Sequence, residues 1–470
     1  RRTVVMSHVI APIPDEPVLP TLNADGSRRW LRPKLATGRF YRARLAAAWF
    51  LIVVFTAIPW IRMNGKPLIL LDLPQRQFTF FGATFLSTDT VLLMLFMVAL
   101  LVGIFLLTAL FGRVWCGWAC PQTVYMEFVY RPIERLFEGS PSAQKQLDRQ
   151  GLSIKRIAKY FVYLLVSMFL AHTFLAYFVG VEQLRHWMTR SPMEHPASFV
   201  LMALTTALMM FNFAWFREQT CLVACPYGRF QSVLLDKFSL IVGYDPKRGE
   251  PRGKLGARKR SGGDAAFGDC VDCGACVVTC PTGIDIRKGL QMECVHCTQC
   301  IDACDDIMTR LGKPVGLIRY TTKSELAGEP KKFLRPRTIA YPLVMVAALS
   351  AFTYALASKS DTDLTMLRGL GAPFTELTAG QISNQIRIKV VNRASSDREY
   401  RIELVDLPEA TLIAPQNPVP VPAGKAVEAS VFVTAPRSAF ENGERAVTLR
   451  IGDGDRFSRE TEYRLLGPQS

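Results

Sequence analysis

The chain of 470 residues is both apolar and basic, with 49% hydrophobic residues, a positive mean hydropathy and a formal net charge of +16. This hydropathy is high for a soluble protein, whereas membrane proteins combine apolar spans with basic cytoplasmic loops. Nucleic-acid-binding proteins are also basic, so the positions of the Lys and Arg residues decide between these classes.

Five segments are apolar enough and long enough to cross a bilayer, which takes about 20 residues. They follow an N-terminal arm, residues 1–44, that carries nine Lys or Arg. The second segment contains no charged residue. The predicted spans are 45–61, 90–111, 160–181, 198–215 and 339–357.

The basic residues also predict the orientation of these spans. Loop 112–159 carries eight Lys or Arg, whereas the loops on the other side carry three and two. Positive residues concentrate on the cytoplasmic side of a membrane. We therefore predict a multi-pass protein whose N-terminus, loop 112–159 and segment 216–337 are cytoplasmic, and whose C-terminal part lies outside.

The second and fourth spans are each followed by Cys-x-x-x-Cys-Pro and an amphipathic stretch. The cysteines are Cys116 and Cys120 in the first motif and Cys221 and Cys225 in the second. A separation of four residues puts both thiols of a pair on one helix face. Both spans run in the same direction, so the halves form a parallel repeat, and side-by-side packing would bring four thiols together. Such a group could bind a soft ion such as Cu(I), bind another cluster or cycle between dithiol and disulfide; alternatively, the small cysteines only pack helix ends.

The other eight cysteines form two runs with the spacing C-x2-C-x2-C-x3-C of two-cluster ferredoxins. In these proteins three thiolates of one run bind one 4Fe-4S cluster and the fourth reaches the other cluster. Disulfides are disfavoured in a reducing cytoplasm, and zinc ribbons use pairs of cysteines rather than runs of four. One departure is Asp305, which follows Cys304 where proline follows the first run. The predicted ligands are Cys270, Cys273, Cys276 and Cys304 for one cluster, and Cys280, Cys294, Cys297 and Cys300 for the other.

Other common cofactors and ligands are not indicated. A membrane haem usually takes paired axial ligands, but His172 is the only histidine inside a predicted span. As an intramembrane ionisable residue His172 is a functional candidate, or it is simply hydrogen-bonded within the bundle. No nucleotide-binding fingerprint follows a strand, and no aromatic interleaving indicates nucleic-acid binding. Electrons must therefore come from a partner, either a membrane quinol or a soluble carrier.

Two further segments are distinguished by composition. The basic, Gly-rich stretch 245–268 is a linker that either lies against anionic lipid headgroups or acts as a solvated hinge.

Residues 362–468 contain short runs that alternate apolar with polar residues, separated by Pro, Gly, Asn and Asp. This pattern predicts an antiparallel, immunoglobulin-like β-sandwich. It has no Cys and no His, so we expect it to contact a partner.

The predicted architecture is a multidomain membrane protein. A five-span α-helical bundle carries a cytoplasmic two-cluster, ferredoxin-like α+β insert and a C-terminal all-β immunoglobulin-like sandwich. The segments are the arm 1–44, the four-span bundle 45–244, the linker 245–268, the ferredoxin-like domain 269–310, a cytoplasmic connector 311–338, the fifth span 339–357 and the outer sandwich 362–468.

Over nearly its whole length the chain resembles the cytochrome c oxidase accessory protein family, CcoG, also called RdxA or FixG. The resemblance rests on residues 116–136, 221–234 and 270–304 and on the terminal sandwich. It implies an inner-membrane protein of bacteria that helps to mature a cbb-type cytochrome c oxidase. It further implies a cupric reductase that takes copper as its substrate and supplies Cu(I) to copper-delivery factors. Because thiolates suit the soft product ion, we expect the four Cys-x-x-x-Cys-Pro cysteines to be the catalytic residues.

Three hypotheses for the function follow. The first is this metal-reducing enzyme. The second is an electron-transfer subunit that oxidises quinol for a partner reductase. The third is an assembly scaffold in which the sandwich docks the oxidase and the clusters only sense the redox state.

Overall fold

The structure is a computed structural model that describes residues 20–468, apart from positions 24, 64, 74–76, 82, 87–88, 152, 261–266, 331, 333, 359, 378–379, 395 and 455–456. The first 19 residues of the predicted arm and six residues of the predicted linker thus lie outside the described residues. The chain forms two compact units, and the second consists mainly of the residues from Thr353 onward.

Among the residues that the structure describes, five helices are long enough and apolar enough to cross a membrane, in agreement with the predicted number. Two of them begin six residues before the predicted spans, because basic residues that flank the apolar stretches continue the helix. Most of the apolar side chains along these helices face outward, as lipid-facing residues do. The helices are Arg39–Trp60, Thr90–Phe111, Ile154–Val179, Pro196–Phe216 and Pro336–Ala357.

Short helices follow the second and fourth spans and give the repeat its shape. In each half the second cysteine is followed by a proline at the first helical position, where the missing N–H costs nothing. Each half also contains π-helical turns, which are frequent at functional sites. The first half comprises Val114–Trp118, Pro121–Tyr125, the π-helical Met126–Tyr130, Arg131–Glu138 and Pro141–Gln150. The second comprises the π-helical Asn212–Phe216 and Thr220–Ala224, then Pro226–Leu234.

The loops at the other ends of the spans contain elements that the sequence did not predict. The loop between the first two spans contains the strands Arg62–Met63, Lys66–Pro67, Ile69–Asp72, Gln77–Phe80 and Ala83–Leu86. Ile69–Asp72 pairs with Gln77–Phe80 in antiparallel fashion. The loop between the third and fourth spans contains the helix Val181–Thr189.

The cysteine-rich segment is closed by a two-stranded antiparallel sheet in which Ile241–Tyr244 pairs with Ile318–Thr321. Its fold therefore extends beyond the predicted range 269–310 on both sides. Between the strands lie the helices Pro246–Gly249, Leu255–Arg260, Ala275–Val278 and Gln299–Arg310 and the turn Ile286–Lys288, and the helix Lys323–Ala327 follows them.

The described part of the predicted linker packs against this segment. Arg258 is buried and donates hydrogen bonds to the carbonyls of Gly253, Gly268 and Cys270, the last at 2.7 Å. Arg258 thus anchors this end of the linker, whereas Arg252, Lys254 and Lys259 are exposed, so both predictions for the linker stay open.

The second unit contains two antiparallel sheets, in agreement with the predicted sandwich. Inward side chains such as Ile386, Ile388 and Val390 alternate with outward ones and form the buried core, as expected for packed sheets. One sheet has the order Thr411–Ile413, Ala426–Pro436, Gln381–Asn392, Thr362–Arg368, and Thr375–Leu377 also pairs with Gln381–Asn392. The other has the order Val419–Val421, Arg398–Leu404, Glu444–Gly452, Ser458–Leu466.

Candidate metal centres

The first predicted cluster set lines a small cavity. Its members are Cys270, Cys273, Cys276 and Cys304. The first three lie on one loop, in which Asp272 and Gly274 adopt positive φ angles of 48° and 67°. Such angles turn the chain tightly, and the helix Gln299–Arg310 supplies the fourth thiol. The structure therefore brings together the four residues that the spacing rule grouped.

The second set, Cys280, Cys294, Cys297 and Cys300, has no exposed member, whereas Cys273 of the first set is exposed. Burial raises the pKa of the Cys294 and Cys297 thiols to about 12. Burial also raises the pKa of Cys300 well above its usual value, and the other three thiols of the set act in the same direction. Cys276 of the first set acts on Cys300 in the same direction, so the two predicted cluster sets lie close to each other.

Both sets fit 4Fe-4S clusters better than single metal ions. Within the described ranges, no three Cys, His, Asp or Glu side chains are close enough to share one ion. A cubane lies between its four ligands and so separates them more than one zinc ion does. None of the twelve cysteines, all of which the structure describes, forms a disulfide. A bound cluster would supply one-electron transfer, and the assignment of ligands to each cluster stays a prediction that this grouping supports.

The four remaining cysteines meet beyond the ends of the second and fourth spans. We call Cys116, Cys120, Cys221 and Cys225 the thiol quartet. Burial raises the pKa of the Cys116 thiol to about 11 and that of Cys221 to about 12, and cysteines from the opposite half of the repeat raise both pKa values further. The two halves also touch directly, because the Cys116 thiol donates to Gln231 at 3.2 Å and Gln122 donates to the Arg217 carbonyl at 3.0 Å. They therefore pack side by side, although no three thiols of the quartet, all of which the structure describes, are close enough to share one ion.

One buried cation lies beside the thiol quartet. Arg113 donates from Nη2 to the Gly228 carbonyl at 2.9 Å and from Nε to Gln231 Oε1 at 3.3 Å. The same oxygen of Gln231 accepts a hydrogen bond from the Cys116 thiol at 3.2 Å. The positive charge of Arg113 opposes the effect of burial on the pKa of Cys116. Burial nevertheless outweighs this charge, so the Cys116 thiol keeps its proton at neutral pH and would lose it only on binding a metal ion.

The loop of the second cluster set packs directly on the thiol quartet. A β-carbon on Gly117, the residue after Cys116, would lie 2.6 Å from the carbonyl oxygens of both Val295 and His296. These two residues lie between Cys294 and Cys297. The two cysteine motifs therefore touch backbone to backbone, and no side chain separates them at this point.

Arg44 joins the same two motifs from the first span. Its Nε donates to the Gly117 carbonyl at 2.9 Å and its Nη1 to the Cys297 carbonyl at 2.8 Å. The side chain is only 1% exposed. Burial dominates the raised pKa of Cys297, and the charge of Arg44 acts against it. The sequence predicted no specific role for Arg44, which is one of the nine basic residues of the arm, because its contacts are with residues far along the chain.

One histidine lies inside the second cysteine run. The buried His296 accepts the backbone N–H of Arg113 at Nδ1, at 3.2 Å. Burial, reinforced by the charge of Arg113, lowers the pKa of His296 to about 3, so the imidazole is neutral with its proton on Nε2. His296 was not predicted from the sequence, although its position inside a cysteine run was a signal.

His172, in the third span, lies 2.6 Å from the Met168 carbonyl of its own helix through Nδ1. This contact favours the structural role for His172 over the functional one.

Buried charges join the halves of the repeat close to the thiol quartet. Arg217 donates to both carboxylate oxygens of Glu134, at 3.1 and 2.9 Å. Burial acts to raise the pKa of Glu134, but the charge of Arg217 and its hydrogen bonds outweigh burial and lower that pKa. Breaking a buried pair leaves an uncompensated charge, so this pair holds the two halves together.

Family profiles match three parts of the chain. Residues 216–323 match a 4Fe-4S dicluster domain, and residues 93–139 match a 4Fe-4S binding domain. Residues 352–468 match the IG-like fold at the C-terminal of FixG. The first range contains all eight cysteines of the two cluster sets, whereas the second contains only Cys116 and Cys120.

Relatives cover nearly the whole chain. The nitrogen fixation protein FixG of Rhizobium meliloti is 30% identical over 92% of this chain and 91% of that protein. Protein RdxA of Cereibacter sphaeroides is 33% identical over 89% of this chain and 92% of that protein. A crystal structure of a FixG-related protein from Vibrio parahaemolyticus is 16% identical, covers 23% of this chain and 98% of that chain, and has a TM-score of 0.21.

Proposed function

Because the chain belongs to the FixG family of iron–sulfur membrane proteins, we propose that it reduces Cu(II) to Cu(I) at the thiol quartet. The product Cu(I) then passes to copper-delivery factors for the assembly of a cbb-type cytochrome c oxidase. Electron transfer by an iron–sulfur protein is the general activity of this family, and the metal substrate and the oxidase are the specific proposal.

The electron balance of the proposed reaction is simple. Each Cu(II) takes one electron and becomes Cu(I), and a 4Fe-4S cluster exchanges one electron at a time. If the donor is a quinol, it releases two electrons and two protons and reduces two Cu(II); a soluble one-electron carrier reduces one. Thiolates are soft ligands and prefer Cu(I) to Cu(II), so the thiol quartet stabilises the product more than the substrate.

The observation that carries this proposal is the contact at Gly117. The loop of the second cluster set lies against the backbone between Cys116 and Cys120, so an electron leaving that set reaches the thiol quartet across few atoms. Arg44 holds both backbones in place. The charge of Arg113 reduces the cost of deprotonating Cys116 when a metal ion binds.

The proposal includes an orientation and a partner. The basic arm and loops support an inner membrane protein with its N-terminus and clusters in the cytoplasm and its β-sandwich in the periplasm. The sandwich carries neither Cys nor His, so its proposed role is to dock the oxidase or a copper-delivery factor. Quinol or a soluble carrier supplies the electrons.

Replacing Cys116 and Cys221 with Ser tests the assigned site. We expect the rate of Cu(I) formation to fall by at least about 100-fold, because the soft ligands for the product are removed. Cluster absorbance and iron content should stay unchanged. Reduction of ferricyanide, which takes electrons without a thiol ligand, serves as the control and should be retained. An unchanged rate of copper reduction would exclude the thiol quartet as the site.

A second candidate is a third 4Fe-4S cluster at the thiol quartet. It is favoured by the match of residues 93–139 to a 4Fe-4S binding domain. Iron analysis separates the two: two clusters give about eight iron atoms per chain, and three give about twelve. With a third cluster, the Cys116→Ser and Cys221→Ser variant would also lose about four iron atoms.

A further inference from the structure

A second group of metal-binding side chains lies at the opposite ends of the third and fourth spans. The segment from His186 to His195 contains two of the five histidines of the chain and also Met188 and Met193. His186 lies in the last turn of the helix Val181–Thr189, and His195 directly precedes the fourth span. None of the functions considered so far uses these four residues.

The two imidazole rings are placed as a pair. Their centroids are 5.5 Å apart and their planes are inclined by 57°. Metal–nitrogen bonds to histidine are about 2 Å long, so two imidazoles that share one ion have centroids roughly 5–6 Å apart. Among the described residues, neither ring forms a hydrogen bond, and both can therefore offer a nitrogen lone pair.

An apolar cluster packs the helix that carries His186 against the third and fourth spans. Leu184 is buried in one apolar cluster with Leu175 and Met202, and Trp187 packs against the same cluster. This cluster fixes the helix Val181–Thr189 to the third and fourth spans. His186 is exposed on that helix, and His195 directly precedes the fourth span. Because the apolar cluster joins the helix to this span, the two elements that carry the imidazoles are held together. A metal site needs such preorganisation of its ligands.

The two methionines indicate which metal the site takes. Met193 is 88% exposed and Met188 is 59% exposed, so neither thioether is committed to a core. A methionine side chain has three rotatable bonds and can turn toward an ion held by the imidazoles. Imidazole suits zinc and copper alike, but thioether ligands select Cu(I).

We propose that His186 and His195, together with Met188 and Met193, bind one copper ion at the end of the bundle opposite the thiol quartet. The fourth span has 21 residues and so places about 30 Å between the two ends. The biological use of this site rests on the proposed function, because it would hold copper on the side of the membrane that the proposal gives to the sandwich and its partner. Copper binding itself can be measured without any reduction.

The test uses the full-length, cluster-loaded protein with a tag that contains no histidine. The four thiol-quartet cysteines are replaced by Ser, and the clusters are kept oxidised, so that added copper stays Cu(II) and has no thiols to bind. With one equivalent of Cu(II), we expect an EPR signal with hyperfine splitting from imidazole nitrogen. In the H186A/H195A double variant, the affinity should fall by at least tenfold and the nitrogen splitting should vanish.

Two controls make the result specific. R185K/R190K changes exposed residues of the same segment and keeps their charge, so it should bind copper like the parent. M188L/M193L should weaken Cu(I) binding about tenfold, measured against a Cu(I) chelator, and should leave zinc binding unchanged. The proposal is overturned if the parent shows no nitrogen-bound copper, if the double histidine variant binds like the parent, or if the methionine variant binds Cu(I) normally. Because the clusters stay oxidised throughout, failure here is distinct from failure of copper reduction at the thiol quartet.

Discussion

The eight cluster cysteines and the thiol quartet are built in opposite ways. The eight cysteines lie within 35 consecutive residues, 270–304, and local turns aim them at two centres. The thiol quartet combines two pairs about a hundred residues apart, and only the packing of two membrane helices brings them together. Local spacing therefore encodes the two cluster sets, whereas a repeated motif and tertiary packing encode the thiol quartet, at which we propose that electrons pass to copper.

The largest expected effect comes from removing one cysteine of a cluster set, the part of the molecule that local spacing determines. Replacing Cys304 with Ala should remove the cluster held by Cys270, Cys273 and Cys276 and lower the iron content from about eight to about four atoms per chain. The remaining cluster should keep its EPR signal. Iron analysis with quantitative EPR of the reduced protein measures both.

The Cys280→Ala variant is the matched comparison, because it should remove the other cluster. If Cys304 instead belonged with Cys294, Cys297 and Cys300, then Cys304→Ala would remove the cluster whose potential responds to Arg44. Combining Cys304→Ala with Arg44→Gln distinguishes these assignments, since only the cluster next to Arg44 can shift its potential.

This contrast also explains what the sequence could predict. Spans and cysteine runs depend on composition and spacing within about 30 residues, so the five helices and both cluster sets were predictable. The thiol quartet was predictable as a possibility, because its motif occurs twice. The contacts of Arg44 and the pairing of His186 with His195 were not, because they depend on how separate segments pack.

The second prediction tests the packing that forms the thiol quartet. Glu134→Gln removes the bidentate partner of Arg217 and leaves this buried cation only its longer ion pair with Glu218, at 3.7 Å, so the free energy of unfolding at pH 7 should fall by up to about 3 kcal/mol. The folded protein lowers the pKa of Glu134 below its usual 4.5. Its stabilising contribution is therefore complete above that pH and is lost as the pH falls below it.

Thermal unfolding from pH 7 down to about pH 3 checks this prediction, because the contribution is lost between the usual pKa of 4.5 and the lower pKa of the folded protein. The difference between parent and Glu134→Gln should shrink below about pH 4.5. Glu329→Gln, which affects an exposed pair with Lys237, should change little at any pH. A constant difference across the range would contradict the role of the ionised carboxylate.

The third prediction separates the two cysteine motifs without removing a cysteine. Gly117→Ala would push the added β-carbon into the Val295 and His296 carbonyls, so the loop and the thiol quartet must move apart. Displacement by about 1 Å can slow a positioned reaction by on the order of 100-fold. We expect a loss of this size in the rate of Cu(I) formation, measured by stopped flow with cluster content unchanged.

Gly256→Ala is the matched control for this substitution. A β-carbon added at Gly256 would meet no heavy atom within 4 Å, and the residue lies in a helix, so alanine should be tolerated. If Gly117→Ala reduces copper at the parental rate, the contact at Gly117 is not on the electron path.

The smallest expected effect concerns the charge that bridges the two motifs. Arg44 is buried and bonds the carbonyls of Gly117 and Cys297, and its positive charge favours a reduced, more negative cluster. Arg44→Gln should lower the potential of the second cluster by roughly 60 mV, a tenfold change for one electron. Redox titration followed by EPR measures it. Arg42→Gln, on the exposed side of the same helix, should leave the potential unchanged.

We propose that electrons held by the two 4Fe-4S clusters pass to copper. The most direct measurement reduces the clusters of the purified protein anaerobically, adds stoichiometric Cu(II), and follows cluster absorbance together with Cu(I) formation by a chelating dye. We predict that cluster reoxidation and Cu(I) formation match one for one. Clusters that stay reduced beside unreacted Cu(II) would contradict the claim and favour an electron carrier that serves a partner reductase.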